Sequence, residues 1–356
     1  MGFHYETERL PKLATAARDV APPCKLAKRH FPCGATPLQT DGPVPRPTTM
    51  TESPQSSDAV VRVRVAQEND GARLDAALRQ MSPGISLQKA RALCELGCVA
   101  VSGIRAAAPQ RLRSGDLVSF APERFELSLA IGAAVVCDRG GVIVLHKMPG
   151  DAVHAGPLVN DPIAARLQRA LPGAGLCQRL DRPASGMLLC GRDADSVAAI
   201  SQAMERGEIE REYLGVTHGL IERDEGTIDA PLRITDEPRG DRPKVVVDHE
   251  NGQNAVTHLA VIARSKTHTL VRLRLETGRT HQIRAHLRAI GHPLLGDPRY
   301  GDAESNANAH RTHGIDRTLL HSARLSLTAP ATGERVEVTA VHEPDFARLF
   351  PSLRER

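Results

Sequence analysis

Hydrophobic periodicity begins at Val61. Val61, Val63 and Val65 alternate with Arg62 and Arg64, the pattern of a short half-buried strand. Leu74, Leu78 and Met81 recur at helical spacing over 73–81. Ser86 is placed to cap a second helix, with Leu87, Ala90 and Leu93 inward and Lys89 and Arg91 toward solvent; Gly97 ends it. Val99 and Val101 alternate as a strand, Gly103 turns, and Gly115-Asp116 leads into a strand at Leu117, Val118 and Phe120. Residues 59–122 thus form a small module, and 123–138 read as a linker. Beyond it the pattern predicts strands at 142–145, 187–190, 209–217 and 271–275, and helices at 161–171 and 193–206. Segments 245–248 and 255–262 are expected to pair as a hairpin across Asn251-Gly252. Thr280 is expected to cap a helix running to Ile290, with Ile283, Leu287 and Ile290 inward. Strands and helices mix without strict βαβ alternation, which predicts an α+β fold around a mostly antiparallel sheet with flanking helices, spanning 139–351.

Composition changes this picture at the N-terminus. Residues 1–58 hold nine of the 25 prolines and many Thr and Ser, so they read as a disordered tail, or as sequence upstream of a true start at Met50. A hydrophobic fraction of 41% and a charged fraction of 25% are those of a soluble protein, and no segment has the ~20 apolar residues of a membrane helix. Seven cysteines without a CxxC pair suggest neither zinc knuckle nor redox motif, and fit a reducing cytoplasm. Net charge is +4. Aromatics are 3% with no Trp, which excludes RNA modules that stack successive bases on an aromatic sheet. Any RNA contact must rest on Arg, Lys, shape and a tyrosine.

Three constellations could carry chemistry. In Gln178-Arg179-Leu180-Asp181-Arg182, a carboxylate sits between two arginines just before a buried strand; nearby cations keep such an acid ionised. The competing reading is a surface Arg-Asp-Arg turn. In Leu275-Glu276-Thr277-Gly278-Arg279-Thr280-His281-Gln282-Ile283-Arg284, a strand gives way to a helix, and residues 271–300 hold six arginines against Glu276 and Asp297. A helix start there would favour a phosphate; a solvated basic helix is the plainer reading. In Arg211-Glu212-Tyr213-Leu214, a rare tyrosine lies on a strand, where cross-strand packing is its usual role. Arg233, Arg239, Arg242 and Lys244 form a basic segment able to grip RNA backbone, or a plain solvated loop.

Taken in order, these segments resemble the RluA-type family of RNA pseudouridine synthases. The resemblance runs from about Gly140 to Leu349 and also takes in Lys147-Met148-Pro149-Gly150, Ser185-Gly186, Gly291-His292-Pro293, Gly296-Asp297, Tyr300-Gly301 and Leu320-His321. Residues 71–120 are similar to a small RNA-binding module, the S-four domain, through Arg73-Leu74-Asp75, Lys89, Arg91, Gly97 and Gly115-Asp116. The family usually has His where this chain has Gln178, Thr where it has Ala184, and Lys-Pro-Ala-Gly where it has Lys147-Met148-Pro149-Gly150.

The resemblance implies a pseudouridine synthase fold and isomerisation of uridine in structured RNA, rRNA favoured over tRNA, with no cofactor and no metal. Asp181, Tyr213 and Arg279 would be catalytic. Asp181 would act at the anomeric carbon, Tyr213 would stack on the base, and Arg279 would pair with Asp181. Arg179, Leu275, Arg284, Lys89 and Arg91 would bind substrate. A cytoplasmic monomer without membrane attachment is expected. Two other readings compete: a non-catalytic RNA-binding factor with the same two domains, and a glycoside hydrolase, which needs a second carboxylate that Asp181 lacks in the sequence.

Overall fold

The computed structural model describes residues 60–156, 159–235 and 244–354. The tail expected at 1–58 lies outside them, as do Arg239 and Arg242 of the basic segment.

The N-terminal module has strands β1 (Val61–Arg64), β2 (Val99–Val101), β3 (Ile104–Arg105) and β4 (Leu117–Phe120), in the order β1-β4-β2-β3, all antiparallel. Helices α1 (Leu74–Met81) and α2 (Leu87–Glu95) bury Leu74, Leu78, Met81 and Leu93 against Val99, Val118 and Phe120. Ser86 caps α2, its Oγ accepting from the Lys89 N–H at 3.2 Å, and Gly97 follows the helix at φ +84.

The expected linker is instead structured. It carries α3 (Phe125–Ile131) and most of β5 (Ala134–Arg139), an edge strand of the main sheet. Phe125 and Ile131 are buried, so this segment contributes to both cores. The sequence signal was weak because α3 has only seven residues, too few to establish a period.

The main sheet adds β6 (Val142–Lys147), β7 (Gly175–Leu176), β8 (Ser185–Gly191), β9 (Glu210–His218), β10 (Glu225–Asp229), then β13 (Val256–Arg264), β14 (His268–Leu275), β15 (Leu320–Thr328) and β16 (Arg335–Thr339). Between them β11 (Leu232–Ile234) and β12 (Val245–Val247) form a separate ribbon. The main order is β10-β13-β14-β9-β15-β8-β6-β5, with β16 on β15 and β7 on β8. Among the described strands, only β8 and β15 pair in parallel. Helices α4 (Ile163–Ala170), α5 (Ala194–Glu205), α6 (Gln282–Ala289), α7 (Ala303–His313) and α8 (Pro344–Leu349) flank this sheet. An α+β fold with a largely antiparallel central sheet is therefore what the chain adopts.

The hairpin expected across Asn251-Gly252 does not form. β12 pairs with β11, and β13 pairs with β10 and β14. The run 225–234 faces both segments, and Leu232 also bridges Gln253. A tight turn closes locally, with Gly252 N–H returning to Asp248 O at 2.9 Å, but its two arms share a partner rather than each other.

Two joints fix the region around Asp181. All seven residues of β8 are buried, and Leu188 and Leu189 each contribute about 1.5–3 kcal/mol by leaving water. Gly186 has φ +103, and a Cβ there would lie 2.2 Å from the Ser322 carbonyl oxygen, so only glycine permits the β8–β15 approach. The second joint ties the N-terminal module to the main sheet. Arg105 N–H donates to His342 O at 2.9 Å, and Glu343, fully buried, accepts from Arg105 Nε at 2.8 Å and faces His146 Nε2 at 2.9 Å. Burial pushes the Glu343 carboxyl up, but His146 and Arg105 outweigh it and hold it well below the ordinary carboxylate range.

Candidate active site

Asp181 lies in the turn before β8. That turn is fastened by backbone and side-chain contacts. Ala184 N–H donates to Asp181 O at 3.0 Å, and the buried Lys147 ammonium donates to the carbonyls of Met148, Arg182 and Ala184 at 2.8, 3.0 and 2.6 Å. Burial lowers Lys147 to about 8. Ser185 Oγ meets His321 Nδ1 at 2.9 Å, and Gln178 Nε2 donates to Met187 O at 2.8 Å. The surface-turn reading of Arg-Asp-Arg is thereby excluded: the Asp181 side chain is only 16% exposed and lies in a fixed loop.

The partner of Asp181 is Arg284. Arg284 Nη1 donates to Asp181 Oδ2 at 2.8 Å, while its Nε and Nη2 grip Asp297 at 2.7 and 2.9 Å. Arg284 is thus a buried cation held in a fork by one acid and presented to another. Burial opposes charge on Arg284, but the two carboxylates outweigh it and raise its pKa. Burial likewise pushes Asp297 up. The Arg284 guanidinium and the Arg299 and Tyr300 N–H groups overcome this and keep it below the carboxylate range. Asp181 Oδ1 accepts no hydrogen bond among the described residues, so one oxygen of a held carboxylate is open.

Arg279 was expected in this position. It lines the same cleft, but its Nε donates to Asn254 O at 3.1 Å. The difference arises at His281, a non-glycine residue at φ +52 that precedes α6. This left-handed residue redirects the chain, so Arg279 falls on the exposed approach and Arg284 on the buried helix face. Thr280 does not cap the helix. Gln282 Oε1 takes up the free Arg279 N–H at 3.0 Å and accepts from Thr277 Oγ1 at 2.8 Å. Ile290, expected inward, is 41% exposed because α6 ends at Ala289. Arg288 is exposed.

His281 completes the arrangement. Burial lowers its pKa, so the ring is neutral at pH 7. The Tyr300 hydroxyl accepts from Val245 N–H and lies 2.9 Å from His281 Nδ1. With the Tyr300 hydroxyl donating to Nδ1, the imidazole carries its one proton on Nε2, which faces Asp181 Oδ2 at 3.9 Å.

Asp181, Tyr213, Arg279, Arg179, Leu275 and Arg284 all line one cleft of about 610 Å³, together with Arg211, Ile283 and Leu320. A wider hollow of about 1330 Å³ shares Arg179, Asp181, His281 and Arg284 with it. Asp181 therefore stands where the two meet. Tyr213 is buried, which raises its pKa and keeps the phenol neutral. Lys89 and Arg91 lie elsewhere, on α2. Lys89 pairs with Glu126, and Arg91 Nε with Asp75 at 2.9 Å. Asp297, His281, Lys147 and Arg211 had no assigned part in the sequence reading. All four fell in quoted segments, but only the fold reveals what they touch.

A cleft combining a held carboxylate, a buried phenol and a basic rim fits a nucleotide-handling enzyme, and similarity to known proteins identifies the class. A family model described as RNA pseudouridylate synthase matches residues 141–289. The chain belongs to the RNA pseudouridine synthases, isomerases that act on RNA. Within them it is of the RluA type. It is 32% identical over 328 residues to ribosomal large subunit pseudouridine synthase D of Xanthomonas campestris pv. campestris, covering 85% of this chain and 96% of that one. It is 31% identical over 309 residues to the uncharacterized RNA pseudouridine synthase YlyB of Bacillus subtilis (83% and 98% covered). It is 30% identical over 322 residues to ribosomal large subunit pseudouridine synthase C of Salmonella typhi (86% and 99% covered). The fold is shared with human RNA pseudouridylate synthase domain containing 4, at TM-score 0.52 and 24% identity over 64% of this chain and 95% of that one. No helix among the described residues is long and apolar enough to cross a membrane.

Proposed function

We propose that this enzyme converts specific uridines of large-subunit ribosomal RNA to pseudouridine, with Asp181 as the nucleophile and no cofactor. The observation that carries the reading is the Asp181–Arg284–Asp297 chain: a carboxylate fixed through Oδ2, with Oδ1 open at the meeting point of two hollows. The names of the relatives from Xanthomonas campestris and Salmonella typhi support the choice of RNA.

A target uridine in folded RNA must first leave its stack, at a cost of a few kcal/mol. Arg179, exposed at the rim, fills the gap it leaves. Tyr213 stacks against the uracil, and Leu275 lines the pocket. Asp181 Oδ1 attacks the anomeric carbon as the bond to N1 breaks, and the electron pair goes to the base. The base turns, C5 attacks the same carbon, and Asp181 leaves. Loss of the C5 proton and protonation of N1 restore the conjugated uracil ring. The atoms are those of uridine throughout, so no redox partner is required. Arg284 keeps Asp181 oriented, and Arg279 offers its charge to the RNA backbone. The N-terminal module acts as an S-four domain, with Lys89 and Arg91 on its helix contacting phosphates, which position RNA rather than read it.

Release of tritium from an in vitro transcript of large-subunit rRNA labelled with [5-³H]uridine tests this. The wild-type chain should release tritium. Asp181→Asn should lower the rate by about 10³-fold or more while still binding the transcript. Undiminished release by Asp181→Asn would refute the nucleophile, and RNA binding without release by the wild type would favour a non-catalytic factor.

A further inference from the structure

Three arginines are buried among the described residues: Arg211, Arg284 and Arg317. Arg284 holds two carboxylates, and Arg317 pairs with Asp345 at 2.7 Å. Arg211 is different. It is 7% exposed, yet no carboxylate among the described residues lies within ion-pair distance. Its Nε has no hydrogen-bond partner, and its Nη1 reaches only the Met204 thioether at 3.8 Å, a weak acceptor. A buried guanidinium cannot shed its proton, so its charge stands uncompensated.

Its position says what would compensate it. Arg211 lines the catalytic cleft. It lies two residues before Tyr213 on β9, and alternation puts both side chains on one sheet face, about 7 Å apart along the strand. That is the scale of the span from a nucleobase to the phosphate of its own nucleotide. Gly278 borders the guanidinium: a Cβ there would lie 3.1 Å from Arg211 Nη1, so glycine leaves the group room on the cleft side. Uracil and ribose are neutral. The anions of an RNA substrate are its phosphates, and a planar fork of donors fits a phosphate with two parallel hydrogen bonds.

We propose that Arg211 grips a backbone phosphate of the nucleotide seated in the catalytic cleft, fixing the target residue relative to Asp181 and Tyr213. The proposal rests on the reading of the reaction given above, and adds to it a substrate-positioning cation in the interior of the cleft, distinct from the exposed rim residues Arg179 and Arg279.

The test is the salt dependence of tritium release from the labelled large-subunit rRNA transcript, measured between about 50 and 200 mM KCl. Arg211→Met keeps the side-chain volume without the charge, and thermal melting checks that it folds. At the low end kcat/KM should fall roughly 10- to 100-fold, the loss expected for a charge-assisted hydrogen bond. The plot of log kcat/KM against log salt should flatten by about 0.7–0.9, the contribution of one phosphate contact. Arg211→Lys keeps a charge but not the fork, and should retain the wild-type slope with part of the loss in rate. Wild-type kinetics in Arg211→Met, or a lower rate with an unchanged slope, would overturn the proposal; the latter would assign Arg211 to a base carbonyl or to packing. Absence of tritium release by the wild type would instead count against the reaction itself. The slope for Arg211 would then be read from equilibrium binding of the same transcript, where an unchanged slope again overturns the proposal.

Discussion

Asp75 and Asp181 are both held by arginine, in opposite ways. In the N-terminal module the acid is central. Asp75 is fully buried and accepts from Arg73 at 2.8 and 3.1 Å and from Arg91 at 2.9 Å, two side chains about half in water. In the cleft the arginine is central: Arg284 is buried, and one of its two acids is left partly open. In the first case the carboxylate has no oxygen to spare and serves to set two cations on a surface. In the second the cation is immobilised by Asp297, so that Asp181 is fixed through one oxygen while the other stays open, as the proposed nucleophile requires. The same two residue types give a closed knot or a carboxylate with an open oxygen, depending on which partner is surrounded.

Breaking the cleft arrangement should cost far more than breaking the surface one. The largest effect is expected from Gly186→Ala, where a methyl group would collide with the Ser322 backbone at the foot of the Asp181 loop. The fold should lose more than about 4 kcal/mol, read as loss of soluble protein or of a cooperative melt. Arg284→Met comes next. It strands Asp297 in the interior, and should cost about 3–5 kcal/mol by denaturant melting. Adding Asp297→Asn to Arg284→Met should recover part of that stability but none of the activity, which separates the supporting acid from the reacting one.

The smallest effect belongs to Asp75. Its two arginine partners, Arg73 first, hold its pKa at about 2 against an ordinary 3.8. The folded value lies below the unfolded one, so the stabilisation is complete above about pH 4 and is lost as pH falls toward 2. Because both arginines are half in water, about 1–2 kcal/mol is expected rather than the full linkage value. Melting temperature against pH should fall less steeply between pH 4 and 2 in Asp75→Asn than in the wild type; identical curves would show that the two arginines contribute nothing there.

Much of this was legible in the sequence, and the misses have physical causes. Alternation and helical spacing located β1, α1 and α2, each of which buries one face, and apolar runs located β9 and β14. The ordered motifs around Asp181, Tyr213 and Arg279 pointed to one cleft, and those side chains do line it. What sequence could not supply was direction. The exchange of Arg279 for Arg284 beside Asp181 turns on one left-handed residue, His281, whose φ no residue pattern announces. The hairpin across Asn251-Gly252 failed because a third segment, 225–234, pairs with both arms. The orphaned charge of Arg211 became visible only once its surroundings could be inspected for an acid.

The central claim is that the open oxygen of Asp181 does the chemistry on ribosomal RNA. Its most direct test is pseudouridine mapping of large-subunit rRNA from a strain lacking this gene, complemented with the wild type or with Asp181→Asn. One or more defined pseudouridines should return with the wild-type gene and stay absent with the variant, at equal protein levels. Equal restoration by both genes would contradict the account.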